Sequence, residues 1–306
     1  MAKYLAGGRV RGTLHGVTYQ RNMYTGWIAK EKSSITKEQI ETSPAFARTR
    51  ENNNEMKGVG AYVKELRRSL DLFLPYVSDP IVTGRLIREL KKTQIATAGQ
   101  RGFRPLVGTT IANQLVADGF EVSVPYPLSQ AAKGIAIEIG ARESVGNVTN
   151  QIMTITADTL AFPKGTNACL PIVTIIECDE LEYSDGVWAY LNPVEGRNIK
   201  RSVLYDKMVF PVLPTSAQSF SVVLGNTETS FQSDIVAQGL GVLSIFETKF
   251  PLPPYEFGRN LVWFGLQFGQ LVQKAGGSAD APVFEFMPMR GATAGKAMAT
   301  LNPVQP

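Results

Sequence analysis

Histidine is almost missing from this 306-residue chain, cysteine occurs twice, and no apolar run is long enough to cross a bilayer. Each shortage removes a class of chemistry. With His15 as the sole histidine, a histidine-based triad has one residue to pass through, and no Gly-x-Ser-x-Gly turn presents a serine nucleophile. Cys169 and Cys178 are too few for a disulfide framework and have no second thiol pair or histidine nearby to complete a zinc site. They read as small buried apolar residues, with a bridge between neighbouring strands as the alternative. The most apolar stretch, Leu261 to Val272, is short and broken by Gln267 and Gln270, so no membrane insertion is expected. Residues Met1 to Gly8 lack the apolar core of a secretory signal, which predicts cytoplasmic synthesis, with lysis or a dedicated exporter as the route by which a particle would be released.

Charge is scarce too. Asp, Glu, Lys and Arg make up 19% of the chain, below the quarter typical of soluble domains, while 28 glycines and 18 prolines supply turns, a balance that suits strands and loops. The sign is unevenly spread. Residues 1–110 hold 19 Lys and Arg against 9 Asp and Glu, a net +10, and residues 111–306 hold 12 against 18, a net −6. A basic leading part and an acidic trailing part can meet within one chain or between copies, and salt would weaken either contact.

What is present suggests an α+β fold in four stretches. Residues 1–35 read as a glycine-rich arm and a β-hairpin: Thr13, Val17 and Tyr19 favour extended backbone, Asn22 to Gly26 is turn-like, and Trp27-Ile28-Ala29 resumes a strand. A two-stranded ribbon is marginal in water, so this one needs a surface to pack on. Residues 36–110 read as a basic, antiparallel helical hairpin. Its first helix starts at Ser43-Pro44 and turns Met56, Val59, Val63, Leu66, Leu70 and Phe73 to one side. Gly58 and Gly60 inside it each cost up to about 1 kcal/mol relative to alanine, which predicts close approach by another backbone. The second helix starts at Asp79-Pro80, with Val82, Leu86, Leu90 and Ile95 inward and Arg85, Arg88 and Lys92 outward, Lys91 beside them. A basic loop, Gly99 to Pro105, leads to a boundary between residues 105 and 118.

From Phe120 the pattern changes to short runs separated by turns: Phe120 to Val124, Gly134 to Ile139, Gln151 to Ala157, Ile172 to Cys178, Ser219 to Leu224, Leu240 to Phe246 and Leu261 to Phe268. That spacing predicts an antiparallel β-sandwich or jelly-roll-like domain over 111–288. Residues 289–306, with Gly291-Ala292-Thr293-Ala294-Gly295, read as an extended C-terminal arm.

No residue pattern marks a catalytic, cofactor or metal site. Gly7 to Gly12 lacks the Lys-Ser or Lys-Thr that closes a phosphate loop and reads as an arm whose Arg9 and Arg11 can pair with carboxylates. His15 reads as a strand residue facing solvent or a neighbour. The densest carboxylates, Glu177, Asp179, Glu180, Glu182 and Asp185, do not follow the calcium-loop spacing, and Ser184-Asp185-Gly186 reads as a hairpin turn. A solvated strand end is one reading of them and docking onto a basic neighbour is another. The basic stripe of Arg85, Arg88, Lys91 and Lys92, with Lys64, Arg67 and Arg68 on the first helix and Arg101 and Arg104 beyond, is either a solvated face or an electrostatic footprint.

The front portion, about residues 7 to 104, resembles a family of uncharacterised proteins encoded in Bacteroidota genomes. The resemblance lies in Gly12-Thr13-Leu14-His15-Gly16-Val17-Thr18-Tyr19, in Ala29-Lys30-Glu31-Lys32, and in Ser43-Pro44-Ala45-Phe46-Ala47-Arg48-Thr49-Arg50-Glu51-Asn52. It implies a short hairpin leading into the Phe-x-x-Thr-Arg-Glu-Asn helix, a β-rich region behind it, and a bacterial or phage-related origin. It carries over no catalytic residue.

Together these features point to a non-enzymatic subunit of a repetitive tube, filament, sheath or shell, partnered by copies of itself and held by arm exchange and complementary charge. Arg9, Arg11, Arg48, Arg50, Arg85, Arg88 and Lys92 would meet Glu177, Asp179, Glu180 and Glu182 of a neighbour. The alternatives are a nucleic-acid-associated protein using the basic helices and, third, a carbohydrate-active sandwich enzyme.

Overall fold

The computed structural model describes residues 3–5, 9–22, 26–31, 34–70, 74–77, 79–145, 148–191, 200–202, 219–225, 229–231, 234–237, 241–244, 248–250, 260–273 and 284–301. Its strands run β1 (Lys3–Leu5), β2 (Arg9–Leu14), β3 (Val17–Asn22), β4 (Gly26–Glu31), β5 (Ala132–Lys133), β6 (Ala136–Val145), β7 (Val148–Thr156), β8 (Thr159–Leu160), β9 (Ala168–Glu177) and β10 (Leu181–Ser184). They continue as β11 (Val187–Tyr190), β12 (Lys200–Ser202), β13 (Ser219–Gly225), β14 (Thr229–Phe231), β15 (Asp234–Ala237), β16 (Gly241–Ser244), β17 (Thr248–Phe250), β18 (Asn260–Gln273) and β19 (Phe284–Leu301). The helices are α1 (Lys37–Thr42), α2 (Ala47–Ser69), α3 (Val82–Ala96), α4 (Gly108–Ala117) and α5 (Leu128–Ala131). This is an α+β fold, and every strand pairing described is antiparallel.

The chain forms two compact units, residues 1–54 and 55–306, and the division falls inside α2. In the first unit β1 to β4 form a meander in chain order, so the glycine-rich segment from Arg9 onward is a sheet strand and the hairpin grows to four strands. The β2–β3 turn is His15-Gly16, with φ of 46° and 79°. Two positive φ angles in a two-residue turn match the twist of the flanking strands, so His15 belongs to a turn and not to a strand. Next, α1 opens with a capping box: the Thr36 side chain accepts from the Gln39 amide and the Gln39 side chain accepts from the Thr36 amide. Ser43 makes no side-chain cap bond and instead precedes a single 3-10 turn, Pro44–Phe46, that runs into α2.

The second unit is organised by one sheet, β16-β15-β9-β18-β19, with β12 beside β9. Alternation along its strands sends side chains to two apolar clusters. Ile172, Ile176, Leu261 and Trp263 meet Val59, Leu66, Leu86, Leu90, Ile111 and Leu115 of the helices. Cys169, Phe264, Phe268, Ala292 and Ala294 meet Leu128, Ala131 and Ile155 on the other face. Burial on both faces explains why Leu261 to Leu271 is a nearly unbroken apolar run. Helices of the 36–110 stretch thus share a core with strands from beyond residue 111. A second sheet, β17-β14-β13-β7-β6, lies in the same unit.

Several expectations are corrected by this packing. Residues 108–117 are not a boundary but α4, which packs on β18 and β19 and begins at Gly108, where a Cβ would sit 1.9 Å from the Cys178 carbonyl oxygen. The C-terminal arm is, through Leu301, the long strand β19 paired along most of β18; its alanines and glycines are small because both of its faces are covered. Residues 302–306 lie outside the described residues. Phe120 to Val124 is not a strand, although Glu121 bridges to Lys296. Ile95 is 56% exposed, and Thr93 and Gln94 take the inward positions at that end of α3. Among the described residues no other backbone makes the close approach expected at the two glycines of α2: the close neighbour of Gly58 is the Trp188 side-chain ring, and a Cβ at Gly60 would meet nothing within 4 Å. Phe73, expected on the same face, lies outside the described residues.

Candidate functional site

Most of the basic stripe is spent inside the molecule. The helices α2 and α3 run antiparallel, the start of one meeting the end of the other through Glu55 and Lys91. Glu55 is 2% exposed; one carboxylate oxygen binds the Lys91 ammonium, and the other accepts the Gly102 amide and Arg104 Nε, both at 2.9 Å. Burial acts to raise the Glu55 pKa, but the Lys91 and Gly102 hydrogen bonds and the Lys91 and Arg104 charges outweigh it and hold the carboxyl below the ordinary glutamate value.

At the other end of α3, Asp79 Oδ1 accepts the Ile81 amide at 2.9 Å, and Oδ2 takes Arg85 Nη2 at 2.7 Å and the Val124 amide at 3.3 Å. Burial is again outweighed, by these amides and by Arg85, and the Asp79 pKa is lowered. Arg85 also donates to the Glu121 carbonyl at 2.7 Å and lies over the Phe120 ring, 4.8 Å from its centroid. Of the remaining stripe, Arg88 pairs with Glu89 at 2.9 Å and Lys92 bridges Glu89 and Asp118 at 3.2 Å each. An Arg85 held in this way does not reach a neighbour, so it is withdrawn from the set of contact residues expected from the sequence; Arg88 and Lys92 stay exposed beside their carboxylates.

The other expected contact residues are scattered. Arg9 pairs with Leu5 in the backbone register of β1 and β2, and Arg11 is exposed on β2. Arg48 pairs with Glu51 at 2.9 Å. Arg50 donates to the carbonyls of Ile40 and Ser43 at 2.8 Å each, capping the end of α1, and is half-buried. Glu177 ends β9 and Asp179 is buried, its Oδ1 accepting the Glu180 amide at 2.7 Å. Glu182 is exposed on β10. Cys169 and Cys178 are both buried, and neither forms a disulfide. Among the described residues no group of three or more His, Cys, Asp or Glu gathers at a point that would hold a metal ion, and no helix is long and apolar enough to cross a membrane.

Two features went unseen in the sequence. One is a cavity of about 360 Å³ where Glu121, Ser129, Lys133 and Lys296 converge. Burial pushes the Glu121 pKa up against the pull of the Leu128 amide and the Lys296 and Arg85 charges. The other is the two-sided character of the N-terminal sheet. Register places Val10, Leu14, Val17, Tyr19 and Trp27 on one face, with Arg21 and Glu31 at its margins, and Arg11, Thr13, Thr18, Gln20, Ile28 and Lys30 on the other, where the Thr13 and Thr18 hydroxyls lie 3.0 Å apart. None of the described side chains of residues 10–54 is buried, and Trp27 is 36% exposed. Alternation over residues 9–31 was the signal that could have revealed this. No family model, curated protein or solved structure matches the chain.

Proposed function

We propose that this chain is a structural, non-enzymatic subunit that assembles with copies of itself into a tube, filament, sheath or shell. The observation that carries the reading is the apolar face of β2 to β4. A small sheet gains stability by covering one hydrophobic face, and here five apolar side chains on one face are left unburied. A second copy suits this face: Arg11 and Lys30 lie on the opposite side, and the two ions that share the apolar face, Arg21 opposite Trp27 and Glu31 opposite Val17, are of opposite sign, so two sheets can stack there without a net charge on the shared face.

Arm exchange through the C-terminus is no part of this reading, because β19 is built into the central sheet. Nucleic acid is the weaker partner, since Arg85, Arg88, Lys91, Lys92 and Arg104 already face carboxylates. Light scattering and negative-stain microscopy of the purified full chain test the proposal. Particles that grow with concentration at moderate salt are expected; dispersed monomers at high concentration would overturn it.

A further inference from the structure

Helix α2 presents two unlike sides. Gly58 and Gly60 are about 200° apart around its axis. On the Gly58 side sits the β10–β11 hairpin, with Trp188 against Gly58 and the Tyr62 and Tyr190 rings 5.8 Å apart. On the Gly60 side is an open groove of about 650 Å³, its floor formed by Val63, Leu74 and Ile87 and its rim by Lys64, Arg67 and Arg68. Arg68 is shared with Glu65 at 2.7 Å. Lys64 and Arg67 are exposed and form no ion pair with described residues.

The hairpin's free surface carries the matching chemistry. Register pairs Glu182 with Ala189 and Ser184 with Val187, so these four share the outward side, while Tyr183 and Trp188 share the inward one. All four outward residues are exposed, Val187 by 60%. The tip, Asp185-Gly186, has φ of 52° and 86°, the combination of a tight, preformed turn. A preformed hairpin loses little freedom on docking.

We propose that the β10–β11 hairpin of one copy docks in the α2 groove of the next, with Val187 and Ala189 on the apolar floor and Glu182 and Asp185 against Lys64 and Arg67. This rests on the self-assembly reading and supplies its means of growth. Stacked sheet faces are self-complementary and close as a dimer, whereas hairpin into groove is heterologous. Because hairpin and groove lie on opposite sides of one helix, a copy cannot satisfy itself, and the repeated contact yields rings or filaments.

Sedimentation velocity over a concentration series tests it with full-length variants whose folding is checked by circular dichroism. Lys64→Glu with Arg67→Glu, and separately Glu182→Lys with Asp185→Lys, should raise the concentration needed for growth beyond the dimer by about tenfold or more. All four changes together should restore growth, the signs having been exchanged. Gly60→Leu, which fills the groove without touching charge, should stop growth at the dimer. If these variants grow like the native chain, or if the fourfold exchange fails to restore growth, the hairpin contact is wrong while assembly stands. If the native chain itself never leaves the monomer, the assembly reading falls with it.

Discussion

Residues 1–54 and 55–306 obey the same strand and helix rules and reach opposite ends. The first unit carries 9 basic and 4 acidic residues, a net +5, and none of its described side chains is buried. The second carries 22 and 23, a net −1, and closes two apolar clusters on either side of one sheet. The +10 of residues 1–110 is therefore two different things. Half of it belongs to the first unit, whose sheet has an unpartnered face; of the ten cations behind it, Arg68, Arg85, Arg88, Lys91, Lys92 and Arg104 stand in ion pairs with carboxylates, while Lys64 and Arg67 form none with described residues. A charge imbalance in sequence does not distinguish a surface awaiting a partner from one already satisfied.

The sharpest way to break this comparison is to remove one tryptophan from each unit. Trp263→Ala, at a site with no exposure, should cost about 3–5 kcal/mol by denaturant unfolding. Trp27→Ala should cost no more than roughly 0.5 kcal/mol in dilute solution and show its loss in particle size instead. Equal costs would mean that the first unit has a core after all. Next in size, Glu55→Ala leaves Lys91 and Arg104 facing each other without their carboxylate, and roughly 3 kcal/mol should be lost.

The same residues set the acid limit. Glu55 and Asp79 have lowered pKa values in the folded chain, so their stabilisation is present above the unfolded values and disappears as pH falls through the folded ones. An acid titration of stability should therefore fall below about pH 4, and less steeply in Glu55→Gln, whose stability at neutral pH is already reduced. Gly58→Ala and Gly60→Ala should differ in sign: the first pushes a Cβ to 2.8 Å from the Trp188 ring, whereas the second enters open space and gains about 0.5–1 kcal/mol of helix stability. Smallest of all, Glu121→Gln should be neutral or slightly stabilising at pH 7, because the raised pKa means that ionisation opposes folding, and the difference should vanish as pH drops.

Elements with strong periodicity were legible in the sequence. The α2 row Val59, Val63 and Leu66 with Leu70 just past the helix end, the α3 row Val82, Leu86 and Leu90, and the Asp185-Gly186 turn all stand where spacing and turn chemistry put them. Small residues misled: Gly291 to Gly295 look like a loose arm, yet their size is what lets β19 lie between two covered faces. Lys91 and Arg104 looked like surface charge because their partner Glu55 comes from 36 and 49 residues away, a pairing no local pattern reveals. The groove and hairpin were present only as separate fragments, a basic helix side and an acidic turn, and became one candidate contact once α2 fixed them on opposite sides.

Amide hydrogen exchange at two protein concentrations tests the central claim most directly. If another copy covers the N-terminal sheet, amides of β2, β3 and β4 should be protected in concentrated solution and exchange freely on dilution, while those of β9 and β18 should not respond to dilution. Strong protection of β2 to β4 that is indifferent to concentration would contradict the account.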